Sequence, residues 1–141
     1  MTTMKELNTQ THRSNLGQQS LVIGLFFSCI LLVGSLSVMQ SIGLLTGELR
    51  YAIQYYDLVV HFSLAAILGL TASLASKIAG KPFLSFLLVL MLIDEFSQIW
   101  IPSRQFSWVD LASNIFGCLS GVLLLQFSFF ISKALSHQHS G

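Results

Sequence analysis

Residues 21–45 read LVIGLFFSCILLVGSLSVMQSIGLL, an apolar run that no Asp, Glu, Lys or Arg interrupts. A helix crosses the hydrocarbon core of a bilayer with about 20 mostly apolar residues, so this run is long enough to span. It follows a polar stretch carrying Lys5 and Arg13, which superficially resembles the start of a secretory signal. A signal's apolar region is only about 7–15 residues long and is followed by a small-x-small cleavage site. Neither condition holds here, and the run is read as a retained first membrane helix.

Three further segments repeat the pattern. Residues 58–76 are uncharged apart from His61 near the start, residues 82–101 are interrupted by Asp94 and Glu95, and residues 109–132 carry Asp110 at their mouth. Of the 141 residues, 53% are hydrophobic and 9% charged. A soluble domain carries about 25% charged residues, so this chain has too few to solvate its own surface. The runs are continuously apolar, not alternating, which favours helices over barrel strands. The expected fold class is therefore all-α, a polytopic membrane bundle of about four transmembrane helices. Residues 1–20 form a polar tail, 21–132 the membrane domain and 133–141 a second tail. Cys29 and Cys118 lie inside apolar runs, where a free thiol behaves as a small hydrophobe, and no CxxC spacing suggests a disulfide framework or zinc site.

Punctuation between the runs is consistent with this division. Gly47 follows the first, Gly80 and Pro82 separate the second from the third, and Pro102 closes the third. Small residues recur every fourth position, at Ala65, Gly69 and Ser73 and again at Ser113, Gly117 and Gly121. Such stripes let helix backbones approach closely in lipid. Four spans place Lys5, Arg13, Lys77, Lys81 and Lys133 on one side and Arg50 and Arg104 on the other. The positive-inside rule then puts both termini in the cytoplasm. Tyr51, Tyr55, Tyr56, Trp100, Phe106 and Trp108 fall on the opposite side as an interfacial aromatic belt.

The polar residues gather on that same outer side. Asp57 and His61, Asp94 and Gln98, and Asp110 and Asn114 are each four apart, so each pair shares a helix face. Glu95 lies about 100° round the helix from Asp94, and Arg104 sits between the third and fourth spans. Ionisable groups in a span are costly and usually face a cavity, a bundle interior or the interface. Asp94, Glu95 and His61 are candidate catalytic groups, a carboxylate as acid or base and the imidazole as proton shuttle. Asp57, Gln98, Arg104, Asp110 and Asn114 complete a ligand-binding or structural polar cluster, with Arg104 as anion clamp. A plainer reading stands beside it. Asp57 and Asp110 occupy helix starts, where carboxylates cap free N–H groups, and Arg104 would tie Asp94, Glu95 or Asp110 together across the loop. Asp94 and Glu95 have no such role at a helix C-terminus, where the dipole disfavours them. His61 could meet Asp94 or Glu95 at a metal, but no HxxxH or HExxH spacing supports it; no metal or cofactor is expected. GxSxG and phosphate-cradling glycine loops are absent from the sequence. The tail residues His137 and His139 read as a solvated end.

These residues carry a family pattern. D-L-V-V-H-F from Asp57, followed by Leu68 and Gly69, resembles the D-K-x-x-H-F segment of the VanZ-like family of bacterial membrane proteins. The stretch DEFSQIWIPSRQFSWVDLASNIFG, from Asp94 to Gly117, is similar to that family's D-E-x-x-Q-x-x-x-P-x-R-x-x-x-x-x-D-x-x-x-N-x-x-G core. The likeness covers the last three spans. Its recurrent polar positions fall on Asp57, His61, Asp94, Glu95, Gln98, Arg104, Asp110 and Asn114, the residues that helix-face spacing had already selected. Leu58 stands where the family often has lysine, Ala65 or Ala66 where an aromatic is common, and Ser103 where glycine often precedes the arginine. The resemblance implies a cell-envelope protein, with a link to resistance against teicoplanin-type glycopeptides and no assigned reaction. The expected partners are membrane lipid and a lipid-linked or glycopeptide-like ligand, with no nucleic acid. The alternative is a non-catalytic subunit of a larger membrane protein complex.

Overall fold

The computed structural model describes residues 4–45, 47–101 and 104–138, with side chains from Asn15 onward except those of residues 49, 50, 54, 137 and 138. Pro102, Ser103 and His139, and the side chains of Lys5, Arg13, Arg50 and His137, therefore lie outside the described residues. The described elements are α1 (Met4–Ser41), α2 (Gly47–Tyr55), α3 (Asp57–Ala79), α4 (Phe83–Ser97), a 3-10 turn (Gln98–Trp100) and α5 (Trp108–Gln138). Within them, Asn15–Ser41, Asp57–Ala79, Phe83–Trp100 and Trp108–Ser136 are long and apolar enough to cross a membrane. The expected all-α bundle of four spans is what the chain forms.

Its boundaries shift where local chemistry differs from the hydropathy pattern. No break in the backbone divides the polar stretch from the first span, since α1 is already helical from Met4. Asn15, Gln18 and Gln19 are compatible with helix, and Gln19 Nε2 donates to Ile78 O at 3.2 Å, fastening the span to the far end of α3. At its other end the helix stops at Ser41, short of Leu45, because Gly43 takes a left-handed φ of 72°. The Leu44 N–H then reaches back to Met39 O at 2.9 Å, a Schellman-type closure. Gly43, not Gly47, is the stop signal. Gly47 instead opens α2, a nine-residue helix that hydropathy alone does not reveal. The second tail is likewise helical, because α5 runs to Gln138.

Gly80 ends α3 in the left-handed conformation, its N–H bonded to Ser76 O at 2.9 Å. The Ser76 hydroxyl accepts the Leu84 N–H at 3.1 Å, so one serine serves the end of α3 and the start of α4. The closest helix pair is α3 with α5. A Cβ added at Gly69 would strike Cys118 O, one at Gly117 would strike Phe62 O, and one at Gly121 would strike Ala66 O. The small-residue stripes thus form the seam that holds the two helices together, as dispersion packing in lipid requires. Phe26, Leu68, Ala72, Leu87 and Cys118 are buried around this seam, while Leu21, Leu31, Trp100, Phe116 and Phe130 are well exposed on the outside. That outward apolar surface is stable only against lipid or protein.

Two ends of the bundle are defined by contacts. Gln19, Ile78, Lys77 and Phe129 mark one, where Lys77 Nζ sits 3.2 Å from the centroid of the Phe129 ring. Ser37, α2, the start of α3, Arg104 and the start of α5 mark the other, and the polar residues collect there.

Candidate functional site

Arg104 and Ser107 come from the connection before α5, the other polar side chains from the first or last turns of a span, and three connected groups result. In the first, Asp57 and His61 stack one turn apart on α3, with Asp57 Oδ1 3.6 Å from His61 Nε2. The other imidazole nitrogen, Nδ1, lies 3.2 Å from Asn114 Oδ1 on α5. Asp110, one turn before Asn114, points the same way: one ligand atom each from Asp57, His61 and Asp110 lie within 4.8 Å of one another. The pairings by fours on α3 and α5 therefore face each other across the helix seam.

In the second group, Glu95 is fully buried. Its Oε1 accepts the backbone N–H of Ser107 at 3.1 Å and its Oε2 accepts a bond from Gln98 Nε2 at 3.4 Å. The expected Asp94–Gln98 face is replaced by a Glu95–Gln98 pair, because α4 tightens into a 3-10 turn at Gln98. In that geometry residues three apart eclipse one another. Asp94 consequently turns away and is exposed.

Asp94 belongs to the third group. Ser37 Oγ, on the first span, donates to Asp94 Oδ1 at 3.2 Å and receives a bond from Arg104 Nη1 at 2.8 Å. Arg104 is thus joined to an acid through a serine, not by a direct bridge. Among the described residues, the closest acid–base approach is that of His61 to Asp57, an ion pair only when the imidazole is protonated.

Neither first-turn acid acts as a cap. Tyr56 is the N-cap of α3 and makes no side-chain cap bond. At α5 the order Ser107-Trp108-Val109-Asp110 has the form of a capping box, in which serine and acid bond each other's backbone N–H. Only half of it forms. The Ser107 hydroxyl accepts the Asp110 N–H at 3.2 Å, but Glu95 has taken the Ser107 N–H. The Asp110 carboxylate is released toward His61.

Between the first span and α3 lies a cavity of about 100 Å³, lined at its polar side by Ser37, Asp57, His61, Arg104 and Asn114. It adjoins a groove of about 300 Å³ between the first span, α3 and α4, with Val33, Ser37, Leu68 and Met91 common to both. The groove is apolar apart from Ser37, Asp94 and Ser97. Glu95 and Gln98 do not line the cavity, and their polar atoms are committed to the α4–α5 connection.

No protein-family model, curated protein or solved structure matches the chain.

Ser37 and Ser107 are the functional-site residues that sequence spacing does not select. Ser37 sits in the first span, outside the resemblance carried by the later spans, though Ser37, Gln40 and Ser41 break the apolar run together near its end. Ser107 carries a weak signal, the capping-box order with Asp110.

Proposed function

We propose that this chain is an inner-membrane protein of the bacterial envelope, VanZ-like in its last three spans, that binds an amphipathic lipid-linked ligand at its outer end. The observation that carries this reading is the union of a small polar cavity with an apolar groove along the same helices. At about 100 Å³ the cavity is smaller than the engineered cavity of about 150 Å³ that takes a benzene ring. It admits a phosphate- or carboxylate-sized group, not an entire glycopeptide. Arg104 offers guanidinium donors to an anion, Asp57 and Asn114 accept from hydroxyl or amine groups, and the groove accommodates an acyl or prenyl chain. A link to teicoplanin-type resistance would follow if that ligand is a lipid-linked molecule of the cell envelope.

The bilayer-embedded protein, extracted in mild detergent and examined by native mass spectrometry, tests this. One retained lipid with a phosphorylated polar head, lost in an Arg104→Gln protein that is still folded and membrane-inserted, supports the reading. Retention of bulk phospholipid alone overturns it, and stoichiometric recovery of one large membrane protein would assign the chain to a complex instead.

A further inference from the structure

We propose that Asp57, His61 and Asp110 hold a divalent cation of the zinc class, bridging α3 and α5 at the polar end of the bundle. The inference goes beyond the lipid-binding reading and does not depend on it.

The donor set comes first. One carboxylate oxygen from each aspartate and one imidazole nitrogen converge within 4.8 Å of one another. A tetrahedral zinc shell, with metal–ligand distances of about 2.0–2.2 Å, sets its ligands about 3.3–3.6 Å apart. The Asp57–His61 separation of 3.6 Å already meets that spacing. Asp57 is at the first residue of its helix and its side chain is 42% exposed, so rotation can close the remaining gap.

Orientation of the imidazole is the second observation. Asn114 Oδ1 is an acceptor, so the nitrogen facing it, Nδ1, carries the hydrogen, and Nε2 is left toward the aspartates. A histidine whose far N–H is held by a carbonyl-type oxygen is the usual arrangement of a metal ligand, fixing both tautomer and ring plane.

Third, the two carboxylates are not otherwise employed. Neither forms a cap bond, and Glu95 displaces Asp110 from the bond that its capping-box position would give it. The nearby cation, Arg104, is turned to Ser37. Two acids thus face one imidazole, and a dication offsets both charges where a proton on His61 offsets one. One imidazole with two carboxylates suits zinc or manganese, and three protein ligands leave a coordination position open. Asp57, His61 and Asn114 also line the polar cavity, so the ion would border the space that receives a headgroup.

The test uses the full chain in detergent with His12, His137 and His139 replaced by Gln, which removes other imidazoles. After chelator treatment, calorimetric titration with zinc should show one site per chain. His61→Ala and Asp110→Asn should each weaken it by at least about 100-fold, and Asn114→Ala by about 10-fold. X-ray absorption of the zinc-loaded protein should show one imidazole nitrogen among oxygen neighbours. Absence of saturable binding overturns the proposal, as does binding that His61→Ala leaves unchanged. Should Asp110→Asn fail to fold, the absorption spectrum decides: sulfur around zinc, or a shell without imidazole, would overturn the assignment.

Discussion

The buried Glu95 carboxylate accepts the backbone N–H of Ser107 at 3.1 Å, so the last turn of α4 caps the first turn of α5. A carboxylate at a helix C-terminus is disfavoured by the dipole of its own helix. Here it is held by the positive end of the next one and by Gln98 Nε2. The loop between these spans is short, and this bond fixes where α5 begins. It also determines what Asp110 can do, since the capping role that Asp110 would otherwise fill is taken.

Glu95→Ala leaves a half-buried N–H and a buried amide without their acceptor, a loss of about 1–3 kcal/mol. Glu95→Gln keeps an oxygen for Ser107 and should cost less. Unfolding in mixed micelles with rising SDS should place the variants in the order wild type, Gln, Ala. Equal midpoints for Ala and wild type would show that the cap contributes nothing.

The seam between α3 and α5 gives a second expectation. A methyl at Gly121 would collide with Ala66 O and sit 2.7 Å from Leu70 N, both backbone atoms that cannot swing aside. Gly121→Ala should therefore force the helices apart and destabilise by about 1–3 kcal/mol. Gly24, on the first span, has open space where a Cβ would go. Gly24→Ala should be neutral or slightly stabilising, since alanine is the better helix former. The same SDS titration, run on both, separates a packing effect from any general intolerance of substitution.

Much of this architecture can be read from the sequence because each span announces itself by length, and the small-residue stripes and fourfold polar spacings are local patterns. Asp57 with His61, and Asp110 with Asn114, share faces simply because an α-helix turns every 3.6 residues. The partners across spans are not local. Ser37 meets Arg104 and Asp94 over separations of 67 and 57 residues, and no periodicity encodes such contacts. Gln98 departs from its expected neighbour because one turn winds as 3-10. Nor does hydropathy disclose α2, whose mixed polar and aromatic residues form a helix of only nine residues.

Ser37 is the sole hydrogen-bonded link between Arg104 and Asp94 among the described residues. A bond to a charged group contributes about 1.5–3 kcal/mol, so Ser37→Ala should be felt at both. A double-mutant cycle with Arg104→Gln and Asp94→Asn should give measurable coupling in the Ser37 protein and none in the Ser37→Ala protein. Coupling that survives the loss of the hydroxyl would mean that the guanidinium and carboxylate act directly.

Orientation in the membrane can be settled by labelling, because the contacts define two distinct ends. Tyr55 and Trp108 are exposed at the end bearing the polar cluster, and Lys81 and Lys133 are exposed at the other. The basic excess lies at the second end, where Lys77 rests against Phe129, and this bias should hold it in the cytoplasm. Cys118 is almost fully buried and should not react, so replacing Cys29 by Ala gives a quiet background. Single cysteines at positions 55 and 108 should then react with an impermeant maleimide in intact spheroplasts, and those at 81 and 133 only after permeabilisation. The opposite pattern would invert the protein and deny the polar cluster access to outer-leaflet ligands. A mixed pattern, with 55 and 108 on different sides, would break the four-span arrangement itself, since the bond between His61 and Asn114 requires α3 and α5 to begin at the same face.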